Sequence, residues 1–78
     1  MLNSHTRILD NNIYPKKAVA DARMAYRDYC DFAIESTASH TVKLTVTVKS
    51  EHENNSREII LGFWNYLLDR SCQIKAEV

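Results

Sequence analysis

The sequence predicts an α+β fold with the element order β-α-β-β-α, built as a three-stranded mixed sheet with both helices on one face. Residues 41–49 alternate strictly between apolar and polar side chains, which is typical of a half-buried strand. Residues 15–29 and 59–68 instead repeat apolar side chains every three or four positions, which is typical of amphipathic helices. Because strand–helix–strand connections are right-handed, we expect the first two strands to run parallel, with the third strand antiparallel between them.

The length and charge of the chain limit what it can be. Its 78 residues correspond to one small domain, residues 1–78, and its 10 basic and 10 acidic side chains cancel at pH 7. No overall field therefore attracts it to nucleic acid or anionic lipid. Residues 1–7 lack the apolar segment of a signal peptide, and no apolar run approaches the about 18 residues of a membrane span. We expect a cytoplasmic protein whose Cys30 and Cys72 stay reduced.

The first half of the chain contains a weak strand signal and a clear helix signal. Residues 6–13 are predicted as a short strand that runs into an Asn-Asn turn. Pro15 then opens a helix, because proline is favoured at the first helical position. Small alanines recur on the apolar side of residues 15–29, so this helix is expected to lie close against the sheet.

The second half is predicted as a hairpin followed by a long helix. Residues 30–35 and 41–49 are the two strands, and residues 36–40 form the turn between them. After a polar linker at residues 50–54, Asn55 is expected to cap the last helix, with an acidic residue three positions later. The end of the chain fits a helix or a strand; we favour continuation of the helix through residues 70–78, because nothing in this stretch breaks it.

Sites for catalysis, metals and cofactors lack support in the sequence. The histidines at positions 5, 40 and 52 have no partner at ligand spacing. Cys30 and Cys72 lie in apolar patterns, where a thiol is a poor nucleophile. The chain has a single glycine, which excludes a glycine-rich phosphate loop. We therefore predict a protein that is not an enzyme and that binds no cofactor and no metal.

Nucleic-acid binding is the alternative function. The open face of the third strand offers Lys43 and Lys49, and Arg23 and Arg27 add a basic ridge on the first helix. A sheet that reads RNA presents aromatic side chains on its open face, however, and this face has none. The main interpretation is therefore a binding module for a protein or peptide.

The last helix has more apolar surface than one packing side needs. Its apolar arc covers roughly 200°, whereas about 100° is enough for a surface helix. Part of this arc is expected to lie without cover from the rest of the chain and to mediate self-association, as in a homodimer, or the binding of another protein. The predicted partner-binding residues are Leu61, Trp64, Asn65, Leu68, Asp69 and Cys72.

Two segments resemble a known family of small accessory proteins. Tyr14-Pro15 and Ala25-Tyr26, then a hairpin, then Phe63-Trp-Asn-Tyr-Leu-Leu-Asp69 resemble the small D component of the His-Xaa-Ser repeat systems. The resemblance implies a bacterial protein that accompanies radical S-adenosylmethionine enzymes and that binds the substrate peptide or a maturase. Tyr66 departs from the family pattern, which favours glutamate there. The positions carried over by the resemblance are Phe63, Asn65, Leu67, Leu68 and Asp69.

Overall fold

The molecule is a three-stranded sheet covered on one face by two helices. A computed structural model of the protein describes residues 3–76. Its elements are β1 (Ser4–Asp10), α1 (Lys16–Tyr26), β2 (Cys30–Ala38), β3 (Thr41–Val48), a 3-10 helix (Ser50–Asn55) and α2 (Ser56–Ala76). The predicted α+β class and the order β-α-β-β-α are confirmed. Neither helix within residues 3–76 combines the length and the apolar character that crossing a bilayer requires.

The strands lie in the order β1-β3-β2. β3 is antiparallel to both neighbours, so the two outer strands run in the same direction without touching. The sheet contains parallel strands only in that β1 and β2 share a direction. Each pair of hydrogen-bonded strands is antiparallel. Thr6 and Ala33 both lie opposite Thr45, and Glu35 lies opposite Lys43. The face formed by these residues points away from the helices, as the alternation in β3 predicted.

The first strand begins and ends earlier in the chain than predicted, and the first helix is shorter than predicted. β1 ends at Asp10 because this residue closes a turn: its Oδ1 accepts a bond of 2.8 Å from the Asn12 N–H, and its carbonyl accepts from Ile13 and Tyr14. Such local bonding of an aspartate competes with strand pairing. Pro15 caps α1 with an extended backbone and therefore precedes the first helical position.

The hairpin strand β2 extends further than predicted, whereas the last helix follows the prediction over its described residues. β2 continues through Ser36 to Ala38, with an irregular register between these two residues, so the turn is confined to residues 39–40. The predicted linker is a 3-10 helix that leads directly into α2. Continuation of the last helix is confirmed to Ala76; the prediction for residues 77–78 falls outside the described part of the chain.

A single apolar core lies between the helices and the sheet. Alanines on α1 permit a close approach, whereas α2 contributes the largest side chains, with Phe63 and Leu67 0% exposed. The Phe63 ring is 5.1 Å from that of Phe32 on β2 and 5.7 Å from that of Tyr26 on α1. The buried apolar residues are Leu9, Ala18, Val19, Ala22, Cys30, Leu44, Val46, Val48, Phe63, Trp64 and Leu67.

The single glycine of the chain, Gly62 on α2, lies against the side chain of Tyr26 on α1. A Cβ atom on Gly62 would lie 2.8 Å from the Tyr26 hydroxyl oxygen, so a side chain here requires the tyrosine to move. Burial raises the pKa of Tyr26, and the neighbouring Cys30, Tyr29 and Tyr66 raise this pKa further. The hydroxyl therefore stays neutral at pH 7 and tolerates the apolar surroundings of the helix contact.

A pair of substitutions tests this contact. We expect Gly62→Ala to raise the free energy of unfolding by about 1 kcal/mol when Tyr26 is phenylalanine, because alanine is the better helix former by about that amount. The nearest remaining atom, Tyr26 Cζ, would then lie at 3.7 Å, an ordinary contact distance. With Tyr26 intact the gain should shrink or reverse. Urea unfolding of the wild type, Gly62→Ala, Tyr26→Phe and the double variant measures the gain in stability with and without the Tyr26 hydroxyl. An equal gain in both cases would contradict a close contact between Gly62 and this hydroxyl.

Candidate protein-binding surface

Of the six residues predicted for partner binding, five are exposed to solvent and Trp64 is buried. Leu61 and Leu68 are 51% and 48% exposed, and Cys72 is exposed one turn beyond Leu68. Because these residues lie about two and then one helical turn apart, they form one stripe on α2. We call Leu61, Leu68 and Cys72 the outer stripe. The prediction that Trp64 belongs to this uncovered surface is wrong, since Trp64 is only 7% exposed.

Trp64 is covered by polar side chains of β1. Its indole N–H donates to Nδ1 of His5 at 3.0 Å, and the rings meet edge to face at 5.6 Å. The guanidinium carbon of Arg7 lies 4.8 Å from the centre of the indole ring, a cation–π distance. Because His5 and Arg7 are polar, the hydrophobic pattern does not indicate this cover, although period-two alternation places positions 5 and 7 on the same side of β1 as the buried Leu9.

Asn65 and Asp69 lie on the exposed side of α2 away from β1. Asp69 borders an open groove between the two helices, which Met24 and Tyr66 also line. Arg70 crosses the helix interface and donates from Nε to Asp21 at 2.9 Å. This ion pair joins α2 to α1 and leaves Asp69 directed outward. The structure thus separates Asn65 and Asp69 from the β1 side of the helix.

A second groove runs between the edge of β1 and the start of α2. Its volume is about 370 Å³, enough for two or three side chains of a partner. It combines hydroxyl groups, cations and an apolar floor, and it includes one residue of the outer stripe. The residues that line it are Ser4, His5, Arg7, Ser56, Arg57, Ile60, Leu61 and Trp64. We call it the strand-edge groove.

The strand-edge groove is cationic. Arg7 comes from β1 and Arg57 from α2, and no carboxylate is among the lining residues. Within the described chain, neither arginine has a carboxylate oxygen within 4.0 Å. No sequence pattern indicates these two arginines and His5 as a site, because they become neighbours only when α2 packs back over the first strand.

The residues of the nucleic-acid alternative do not meet on one surface. Lys43 lies on the open face of the sheet, between Ile8 and Glu35 on the neighbouring strands. Arg23 lies on the helix side, 6.0 Å from the ring of Phe32. Lys49 directly follows β3 and continues its alternation on the same face as Lys43. Arg27 follows the end of α1. The predicted basic surface is therefore divided between the two faces of the sheet.

The two thiols occupy different surroundings. Cys30 is buried in the core and Cys72 is exposed. Burial raises the pKa of the Cys30 thiol, the Asp31 carboxylate raises it further, and Lys49 lowers it in part. Cys30 is therefore protonated at neutral pH, when a thiol is a weak nucleophile. Among residues 3–76, no three His, Cys, Asp or Glu side chains converge in an arrangement that could hold a metal ion.

Comparison of the chain with protein-family models, with curated proteins and with solved structures finds no match. A function for this chain therefore rests on two features of its own geometry, the outer stripe of α2 and the strand-edge groove.

Proposed function

We propose that the protein is a non-enzymatic binding module that self-associates through α2. The observation that carries this proposal is the pair of half-exposed leucines, Leu61 and Leu68, on a helix of 21 residues. Large apolar side chains that recur on the exposed side of one helix are candidates for an interaction site. Cys30 gives no support to nucleophilic catalysis, since it is buried and its raised pKa keeps the thiol protonated at neutral pH.

The spacing of the outer stripe and the helix dipole favour an antiparallel pair of helices. In a pair centred near Asn65, Leu61 of one copy lies beside Leu68 of the other copy. Antiparallel helices place opposite ends of their dipoles together. The outer stripe therefore suits a second copy of this chain.

Sedimentation velocity tests the proposed self-association. At about 1 mM, even an association of about −4 kcal/mol is half populated, so the wild-type protein should sediment as a concentration-dependent dimer. Combining Leu61→Lys with Leu68→Lys should return it to the monomer, because like charges would meet in the interface. Met24→Lys introduces the same charge on the exposed side of α1 and should leave the dimer intact. A wild-type monomer at this concentration would overturn the proposal of self-association.

The resemblance to the D component of the His-Xaa-Ser systems supports an accessory role in a bacterial peptide-modification system. Of the positions that carry the resemblance, Phe63 and Leu67 are fully buried, so they maintain the fold. Asn65, Leu68 and Asp69 are exposed and are available to a peptide or maturase. We propose a cytoplasmic location, as such a system requires. Genes for radical S-adenosylmethionine enzymes beside the gene for this protein would support the assignment, and unrelated neighbours would count against it.

A further inference from the structure

The outer edge of β1 has unpaired backbone groups in a regular pattern. The Val48 N–H donates to the carbonyl of Asn3 and the Asn11 N–H donates to the carbonyl of His40, each at 2.8 Å. Antiparallel ladders alternate between residues bonded to the neighbour and residues directed away from it. Odd-numbered residues of β1 therefore bond to β3, whereas Ser4, Thr6 and Ile8 direct their N–H and C=O groups outward. Within residues 3–76, no strand pairs with this edge.

A strand added at this edge would place alternate side chains in the strand-edge groove. Neighbouring strands lie about 4.8 Å apart, and their side chains alternate between the two faces. On the helix side, the added strand would lie beside His5 and Arg7 and beneath Arg57 and Leu61. Acidic side chains at these positions would meet two arginines that have no carboxylate partner in the described chain. Apolar side chains on this side would contact the floor formed by Ile60 and Trp64.

A second copy of the chain fits this edge poorly. If β1 of another copy were added antiparallel, the Arg7 side chains of the two copies would lie on the same face of adjacent strands, and like charges on adjacent strands are destabilising. Nucleic acid offers phosphates to the arginines, but it does not offer the alternating N–H and C=O groups that an open strand edge pairs with. An extended acidic peptide satisfies both the charges and the backbone.

We infer that the edge of β1 is a docking site for an acidic, extended segment of a partner protein, which joins the sheet as a fourth strand. Addition of a strand to an exposed edge is a common mode of peptide recognition. This inference rests on the proposed function, because it specifies the chemistry of one partner of the binding module. It concerns a different surface from the outer stripe, apart from the shared Leu61.

Binding of a synthetic peptide tests the inference. The probe is fluorescein-labelled Thr-Glu-Val-Glu-Val-Glu-Thr, blocked at both ends, with binding read by anisotropy and by the fluorescence of Trp64, the single tryptophan. Three controls accompany it: the same peptide with lysine for glutamate, the same peptide with alternate backbone nitrogens methylated, and oligothymidine. The wild-type protein should bind only the acidic peptide with free N–H groups, and binding should weaken as salt increases.

Substitutions in β1 separate backbone pairing from charge. Thr6→Pro removes an outward N–H that makes no bond to β3, a position where a strand tolerates proline, and it should weaken binding by about tenfold or more. Thr6→Ala keeps the N–H and removes the same hydroxyl bond to Thr45, so binding should stay within about twofold of wild type. Arg7→Glu with Arg57→Glu should weaken binding at least about tenfold. Lys43→Glu with Lys49→Glu, on the open face, should not weaken it.

The outcomes distinguish the alternatives. Equal binding of the methylated peptide, or of Thr6→Pro, would overturn strand addition and leave a purely electrostatic contact. Comparable binding of oligothymidine would overturn the choice of a peptide as partner. If Thr6→Pro fails to fold, as judged by circular dichroism, the methylated peptide and the arginine variants still decide the question. A protein that dimerises in sedimentation but does not bind the peptide would overturn this inference and leave the proposed function intact.

Discussion

Replacing Phe63 with alanine is expected to unfold most of the protein at 25 °C. Phe63 is 0% exposed and its ring contacts those of Tyr26, Phe32 and Trp64 at centroid distances of 5.7, 5.1 and 5.0 Å. Truncation of a buried phenylalanine destabilises a protein by about 3–5 kcal/mol, because it removes buried surface and leaves a cavity. A core in a chain of this size supplies only about 3–5 kcal/mol of stability. The loss caused by Phe63→Ala is therefore about as large as the whole free energy of unfolding.

Urea unfolding followed by circular dichroism measures this effect, and a second alanine on the same helix controls for helix propensity. Tyr66 lies on the exposed part of α2, so Tyr66→Ala should lower the free energy of unfolding by about 1 kcal/mol. A well-folded Phe63→Ala protein that loses no more stability than Tyr66→Ala would contradict the central position of Phe63 in the core.

The second large effect is expected at Trp64. We predict that Trp64→Ala lowers the free energy of unfolding by about 3 kcal/mol and releases β1 before the rest of the sheet. Leu9 is the one buried apolar residue of this strand, and Trp64 packs against both other residues on its helix side, His5 and Arg7. Without the indole ring, β1 would depend on Leu9 and its ladder to β3.

Hydrogen exchange under native conditions measures where the stability is lost. The amide groups of Arg7 and Leu9, which face β3, should lose more protection in Trp64→Ala than those of Ala33 on β2. Trp64→Phe keeps one aromatic ring but removes part of the buried indole together with its N–H bond to His5, so its loss should be smaller than that of Trp64→Ala, about 1–2 kcal/mol. An equal loss of protection in β1 and β2 would show that Trp64 supports the whole core rather than the first strand.

The sequence was sufficient wherever apolar residues pack on apolar residues. The alternation of β3 predicted which of its faces is buried, and helical spacing predicted that one side of residues 59–68 packs on the rest of the chain. These predictions succeeded because burial of apolar surface is the dominant stabilising term and leaves a periodic pattern in the chain.

Predictions failed where polar side chains cover an apolar residue or terminate a strand. Trp64 was assigned to an uncovered surface because its cover is an imidazole and a guanidinium group, which pattern analysis counts as solvent-exposed. The strand-edge groove was missed for the same reason, since Arg7 and Arg57 are 50 positions apart in the chain. The end of β1 depends on the bonds of Asp10 to the turn, and these bonds compete locally with strand pairing.

The position of β1 in the sheet also affects the order of events during synthesis. β1 leaves the ribosome before the other two strands of this sheet, but its partner β3 is the last of the three to be made, and the bonded pair Thr6 and Thr45 are 39 positions apart. Because such a distant pairing forms late, the hairpin of β2 and β3 can close before β1 joins it. During this interval the first strand has no partner, and its Ser, His, Thr and Arg residues make it a poor template for association between nascent chains.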